Sequence, residues 1–231
     1  IADDYMDRSG GMWSAIKKYI NSDFFVDEDV KKVLDVANGG IRPDEIFFQE
    51  RVKQLEIFIG NDINFKMLTR NNYNYQVNSD VLNLTFKAGL FDTVLVFSCI
   101  HHLTLSEYKD RVNKLKVFLR NLKELIEEDG RIYIIEATLP LFFEKLEKYI
   151  YFPLYKTIFR EKTVPIYFYH HKELRMFLDE LFECEFIEYK STADLLGGGW
   201  KLFPLSLSLK WLKIPCFLYP YKYLFYRGKQ I

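Results

Sequence analysis

Cysteine is scarce in this 231-residue chain. Cys99, Cys184 and Cys216 are odd in number, far apart and set in apolar sequence, which argues against a disulfide framework and fits buried thiols in a reducing compartment. No histidine, cysteine or acid spacing of a metal site occurs, so no metal is expected. Net charge is lacking too. Lys+Arg and Asp+Glu balance at 32 each, which removes the global basic field that accompanies nucleic-acid binding and argues against such a partner. No uninterrupted apolar run reaches the roughly 18 residues of a membrane span, and no secretory leader pattern opens the sequence, which starts at Ile1. The expectation is a cytoplasmic protein. The GxGxxG fingerprint is also absent, which disfavours a nicotinamide-dependent oxidoreductase.

What is present is an alternating α/β pattern, long enough for one sizeable domain with a hydrophobic core. KVLDVANGG at 32–40 reads as a buried strand that ends in an acid and a glycine-containing turn, a loop able to approach a ligand closely. Two more acids follow short apolar runs, Asp62 after IFIGN and Asp80 after YQVNS. Strands are expected near 32–36, 57–61, 74–78, 93–98 and 131–136, separated by helical segments in the βαβ rhythm of a doubly wound parallel sheet. The clearest helix spans 105–128, stopped by Asp129-Gly130. Residues 1–30 have the spacing of an amphipathic helix, 139–163 are helical in tendency, and HKELRMFLDELF at 171–182 is a strongly amphipathic helix. Aromatics reach 17% and thicken toward the C-terminus.

VLDVANGG, FIGNDINFKML, SDVLNLTFKAGLFDTVLVFSCIHHL and LKELIEEDGRIYIIE together resemble the class I S-adenosylmethionine-dependent methyltransferases, in particular the ubiquinone/menaquinone-type small-molecule branch. The resemblance covers roughly residues 30–190, with a weaker echo at 221–229. It implies a mainly parallel seven-stranded sheet finished by an antiparallel hairpin from about 183–190 and 221–227. Residues 1–231 would form a single methyltransferase domain: a helical lid at 1–30 that includes Tyr5, Met6 and Trp13, a cofactor-binding core at 31–138, and substrate-side helices with the C-terminal hairpin at 139–231. The implied cofactor is S-adenosylmethionine. Asp35 would hold its ammonium end, Ala37 and Gly39 would form the close-approach loop, Asp62 with Ile63 and Met67 would meet the ribose and its surroundings, Asp80 and Val81 the adenine edge, and Ser98 and Cys99 the amino-acid tail. Two positions depart from the family loop: its first glycine is Ala37 and its third position is Ile41.

All four histidines come in adjacent pairs. His101 and His102 follow strand four beside the expected methyl group, where a neutral imidazole could take a proton from the acceptor; packing or hydrogen bonding at a helix start is the alternative. His170 and His171 precede an amphipathic helix and suit capping or a surface position. The segment 191–226 could fill core behind the sheet, form an apolar acceptor pocket, or make peripheral membrane contact through Trp200, Trp211, Phe217, Tyr219 and Tyr221 beside Lys201, Lys210, Lys213 and Lys222. The expected reaction is methyl transfer to an oxygen, nitrogen or carbon nucleophile of a small, apolar or aromatic, lipid-like acceptor. A tRNA-modifying methyltransferase and a catalytically silent scaffold of the same fold are the rival readings.

Overall fold

The computed structural model describes residues 15–16, 20, 24–25, 30–37, 55–68, 75–103, 110–151, 166–204 and 212–231. Seven strands form one sheet: β1 (Lys32–Val36), β2 (Ile57–Asn61), β3 (Tyr75–Val77), β4 (Phe91–Phe97), β5 (Ile126–Thr138), β6 (Phe182–Ser191) and β9 (Lys222–Gln230). A small antiparallel pair, β7 (Leu202–Pro204) and β8 (Lys213–Pro215), stands apart from it. The described α-helices are α1 (Phe65–Leu68), α2 (Arg111–Leu125), α3 (Leu141–Leu146), α4 (His171–Asp179) and α5 (Thr192–Leu196).

Sheet order is β3-β2-β1-β4-β5-β9-β6. The first five strands run parallel, and β9 lies antiparallel between β5 and β6. This is the expected doubly wound architecture with its C-terminal hairpin. Alternation along each strand divides the core into two layers. Leu34, Val36, Val94, Val96, Ile132 and Ile134 meet the buried face of α2 and α4, while Val33, Phe58, Leu95, Tyr133, Ile135 and Phe225 meet Ile16, Phe24 and Leu195 on the other side.

Edges of elements differ from the pattern-based reading, and local chemistry says why. Helix α2 ends at Leu125, and β5 begins at once with Ile126, its neighbour Phe91 pairing before a register shift to Thr93↔Arg131. Asp129-Gly130 is therefore part of the strand and does not cap the helix. Gly130 is required there by space: a Cβ would stand 2.8 Å from the Asp92 carbonyl and 2.5 Å from Ile126. The amphipathic helix at 171 closes at Asp179, and the segment after 139 forms α3 followed by a π-helical turn, Glu147–Tyr151. Asp92 fastens the far edge of the sheet, its carboxylate accepting the backbone N–H groups of Lys31 and Lys32 at 2.7 Å each. The expected lid residues Tyr5, Met6 and Trp13, the loop residues Gly39 and Ile41, and Lys210 and Trp211 lie outside the described residues.

Candidate active site

Strand order reverses at β1, whose neighbours are β2 on one side and β4 on the other. Ligands of open α/β sheets sit at the carboxyl ends of strands at such a reversal. Asp35 is the fourth residue of β1, opposite Gly60 and Leu95, and is buried. Two residues without the freedom of glycine adopt left-handed backbone at this edge, Ala37 after β1 and Ser98 after β4, both with φ of 51°. Such a conformation costs on the order of 1–3 kcal/mol per residue and collects at functional sites. Ser98 is held in it by its N–H, which donates to the Ile135 carbonyl at 2.7 Å.

The end of β2 is built from amides and acids. Asn61 is fully buried and its side-chain NH2 donates to the Val77 and Ser79 carbonyls and to the Ser79 hydroxyl, which locks the β2 exit to the β3 exit. Asp62 follows, buried, and its carboxylate accepts the Asn64 N–H at 2.7 Å, shaping the turn into α1. Ile63 projects into solvent with 65% of its surface exposed, and Met67 is half-buried in α1. Asp80 lies exposed at the N-cap of a single helical turn, Val81–Asn83, and accepts the Leu82 N–H at 2.9 Å.

Cys99 shows how these groups converge. Its thiol is buried and pushed well above the usual cysteine range by burial first, and then by the negative charges of Glu136, Asp62, Asp35 and Asp80. It is no nucleophile, and it sits within the field of all three predicted acids and a fourth that sequence reasoning missed. Glu136, next-to-last but one in β5, is buried and accepts three groups: the Ile100 N–H at 2.7 Å, His101 Nδ1 at 2.6 Å and the Ala137 N–H at 2.9 Å. It thereby holds the turn Ile100–His102 in place after β4. The available signal was an acid that ends an apolar strand, IYIIE, the pattern that marked Asp35.

His101 is buried between Glu136 and the Phe168 ring, on which it stacks at 5.0 Å. His102 touches it at 4.1 Å between ring centres. Burial and then the neighbouring His101 push His102 down to about 3, so its imidazole is neutral at any physiological pH and a weak proton acceptor. His170 precedes α4 at the cap position without a side-chain capping bond, and both His170 and His171 are half-buried.

A second polar wall stands beside this turn, again unmarked by the sequence. Glu144 and Glu147 come from α3 and its π-helical extension, and both are buried. Tyr167 donates its hydroxyl to Glu144 at 2.6 Å, and the Arg111 guanidinium lies 3.7 Å from the same oxygen and over the Tyr167 ring. Glu147 accepts the Phe168 N–H at 3.4 Å, and burial pushes its carboxyl up to about 8. Two acids at i and i+3 in LFFEKLEKY share a helix face, a spacing that could have exposed them.

Residues 34–134 match the family model described as a methyltransferase domain. None of the curated proteins matches the sequence. Solved structures share the fold at low identity. One is an S-adenosylmethionine-dependent methyltransferase from Methanosarcina mazei, 13% identical over 90% of this chain and 95% of its own, with a TM-score of 0.59. A second is 1,6-didemethyltoxoflavin-N1-methyltransferase from Burkholderia thailandensis, holding its substrate and S-adenosylhomocysteine, 15% identical over 98% of this chain and 80% of its own, TM-score 0.54. A third is geranyl diphosphate C-methyltransferase from Streptomyces coelicolor A3(2), 9% identical over 95% of this chain and 79% of its own, TM-score 0.60. The matched domain supports a methyltransferase enzyme, and the solved structures show its Rossmann-like fold.

Proposed function

We propose that this chain transfers the methyl group of S-adenosylmethionine to an oxygen, nitrogen or carbon nucleophile of a small, apolar or aromatic, lipid-like acceptor. The observation that carries the reading is the placement of Asp35, Asp62, Asp80 and Glu136 at or just past the carboxyl ends of β1, β2, β3 and β5, around the strand-order reversal. A nest of carboxylates suits a ligand bearing an ammonium and a sulfonium, whereas a phosphate-bearing dinucleotide would be repelled there. The neighbours from Burkholderia and Streptomyces hold S-adenosylhomocysteine in the same fold, which is consistent with that ligand class.

The chain's own residues divide the work. Asp35 faces the ammonium end, with Ala37 just beyond it, and Gly39 is assigned to the same ligand by its position in the sequence. Asp62 accepts from the ribose diol, and Asp80 with the Val81 N–H meets the adenine edge. Ile63 and Met67 supply apolar surface to the ring, and Ser98 and Cys99 line the amino-acid tail. When bound, the cofactor supplies a methyl already activated on a sulfonium. The protein's contribution is then alignment and exclusion of water. In this reading the imidazole of His101, held by Glu136, accepts a proton from the acceptor, while His102 offers a neutral hydrogen-bonding surface.

Incubation with methyl-labelled S-adenosylmethionine and a cell extract tests the reading. Label should enter the organic-soluble fraction and vanish from it for Asp35→Ala. Label in the RNA fraction instead would favour the tRNA-modifying reading. A protein that binds the cofactor and labels neither fraction would be the silent scaffold.

A further inference from the structure

The insert between β6 and β9 leaves the sheet at its carboxyl edge. Ser191, the last residue of β6, and Thr138, the last of β5, both pair with Lys222, the first residue of β9. Thr138 donates its hydroxyl to the Lys222 carbonyl at 2.9 Å, which fixes the base of the insert beside the β5 exit. Tyr221 packs edge-on against Phe168 at 4.5 Å, and Phe168 stacks on His101. The base of the insert is therefore linked to His101 through Tyr221 and Phe168.

Its outer surface is apolar where a surface ought to be polar. Trp200 is 83% exposed, Leu202 61%, Phe217 51% and Leu218 56%, and Trp200 meets Phe217 with ring centres 5.0 Å apart. The backbone holds these side chains outward. Asp194 and Ser191 cap α5 reciprocally, Gly197 ends it in left-handed backbone, and Cys216 and Phe217 donate their N–H groups to the Lys201 and Gly199 carbonyls. A contiguous exposed apolar cluster of this kind, led by the 83% exposed Trp200, marks an interaction surface.

Charge says what covers it. Residues 192–222 contain the four basic residues Lys201, Lys210, Lys213 and Lys222 and one acid, Asp194, in a chain whose total charge is zero. Arg227 and Lys229 are paired with Glu185 and Asp129, but Lys201, Lys213 and Lys222 are exposed around the aromatic cluster. Aromatic and leucine side chains beside three exposed lysines, against the single acid Asp194 that is engaged in capping α5, complement a negatively charged lipid surface.

We propose that the described parts of the insert, residues 192–204 and 212–221, seat this protein on an anionic membrane surface, with the acceptor entrance turned toward the bilayer. The sense of that orientation rests on the methyl-transfer reading, since a lipid-like acceptor would be collected there; the docking itself does not.

Flotation with vesicles of phosphatidylcholine, with and without phosphatidylglycerol, tests it using the full chain without cofactor. The protein should float with the phosphatidylglycerol vesicles, stay behind with phosphatidylcholine alone, and be released by salt. The variants Trp200→Ser with Phe217→Ser, and Lys201→Glu with Lys213→Glu, alter exposed side chains and should lower the partition by about tenfold or more, with unchanged circular dichroism melts showing that the fold is intact. Absence of flotation with the anionic vesicles, or undiminished flotation of both folded variants, overturns the proposal. Cofactor binding by the same preparations is read separately by calorimetry, so a failed membrane contact and a failed methyltransferase reading are told apart.

Discussion

Asp62 shapes the turn into α1 by accepting the Asn64 N–H, and in the proposed function the same carboxylate accepts from the ribose diol. Asp62→Ala should weaken cofactor binding by about 1.5–3 kcal/mol, the range for hydrogen bonds to charged groups, and a calorimetric affinity equal to the parent's would remove Asp62 from the site. Ala37 carries the opposite tension. At φ 51° it occupies backbone that favours glycine, and the family loop it resembles has glycine there. Replacing it with glycine relieves the Cβ strain at the expense of unfolded-state entropy, so Ala37→Gly should gain about 0.5–1 kcal/mol in urea denaturation; a loss would mean the left-handed turn is not adopted. Asp35, Asp62 and Asp80 were legible because each interrupts or follows an apolar run that should contain no charge. Asn61 and Glu136 were not, because their importance lies in partners contributed by other strands: Ser79 for one, Ile100 and His101 for the other.

Elements were readable where periodicity was strong and blurred where two elements meet without a turn. The limits of β1 and β2 follow from their apolar runs and agree with the structure at every residue. The passage from α2 to β5 does not, because EEDG looks like a helix stop in one dimension, while pairing with β4 draws it into the strand and its register shift. The insert's β7 and β8 carry too few residues, three each, for any alternation to be seen. Strand β9 pairs with both β5 and β6, and Gly228 is a position in it that leaves no room for a side chain. A Cβ there would stand 2.8 Å from the Phe182 Cβ and 2.7 Å from the Tyr226 ring. Gly228→Ala should therefore cost about 1–3 kcal/mol of stability, seen as a lower urea midpoint with an unchanged slope, and a neutral effect would mean that β6 and β9 can part without penalty.

Across the whole molecule, pH is coupled to stability through Glu147. Burial raises its carboxyl from 4.5 to about 8, with Glu144 adding to the rise, so the folded protein binds a proton that the unfolded chain gives up above about pH 4.5. Stability from this group is fully present below that pH and is lost as pH climbs toward 8, by a few kcal/mol at most. Glu147→Gln, which mimics the protonated form, should raise the melting temperature at pH 8 and flatten its decline between pH 5 and 8; a parallel decline in both proteins would contradict the assignment. His102 acts at the other end, since its lowered value withdraws stability as pH falls from 6.5 toward about 3. The fold, the carboxylate nest and the matched domain converge on one claim, that the carboxyl edge of this sheet binds S-adenosylmethionine. Isothermal titration of the folded chain with S-adenosylmethionine tests it most directly: the account predicts a single saturable site, weakened by both Asp35→Ala and Asp62→Ala, and the absence of binding heat at about 1 mM cofactor from folded protein would contradict it.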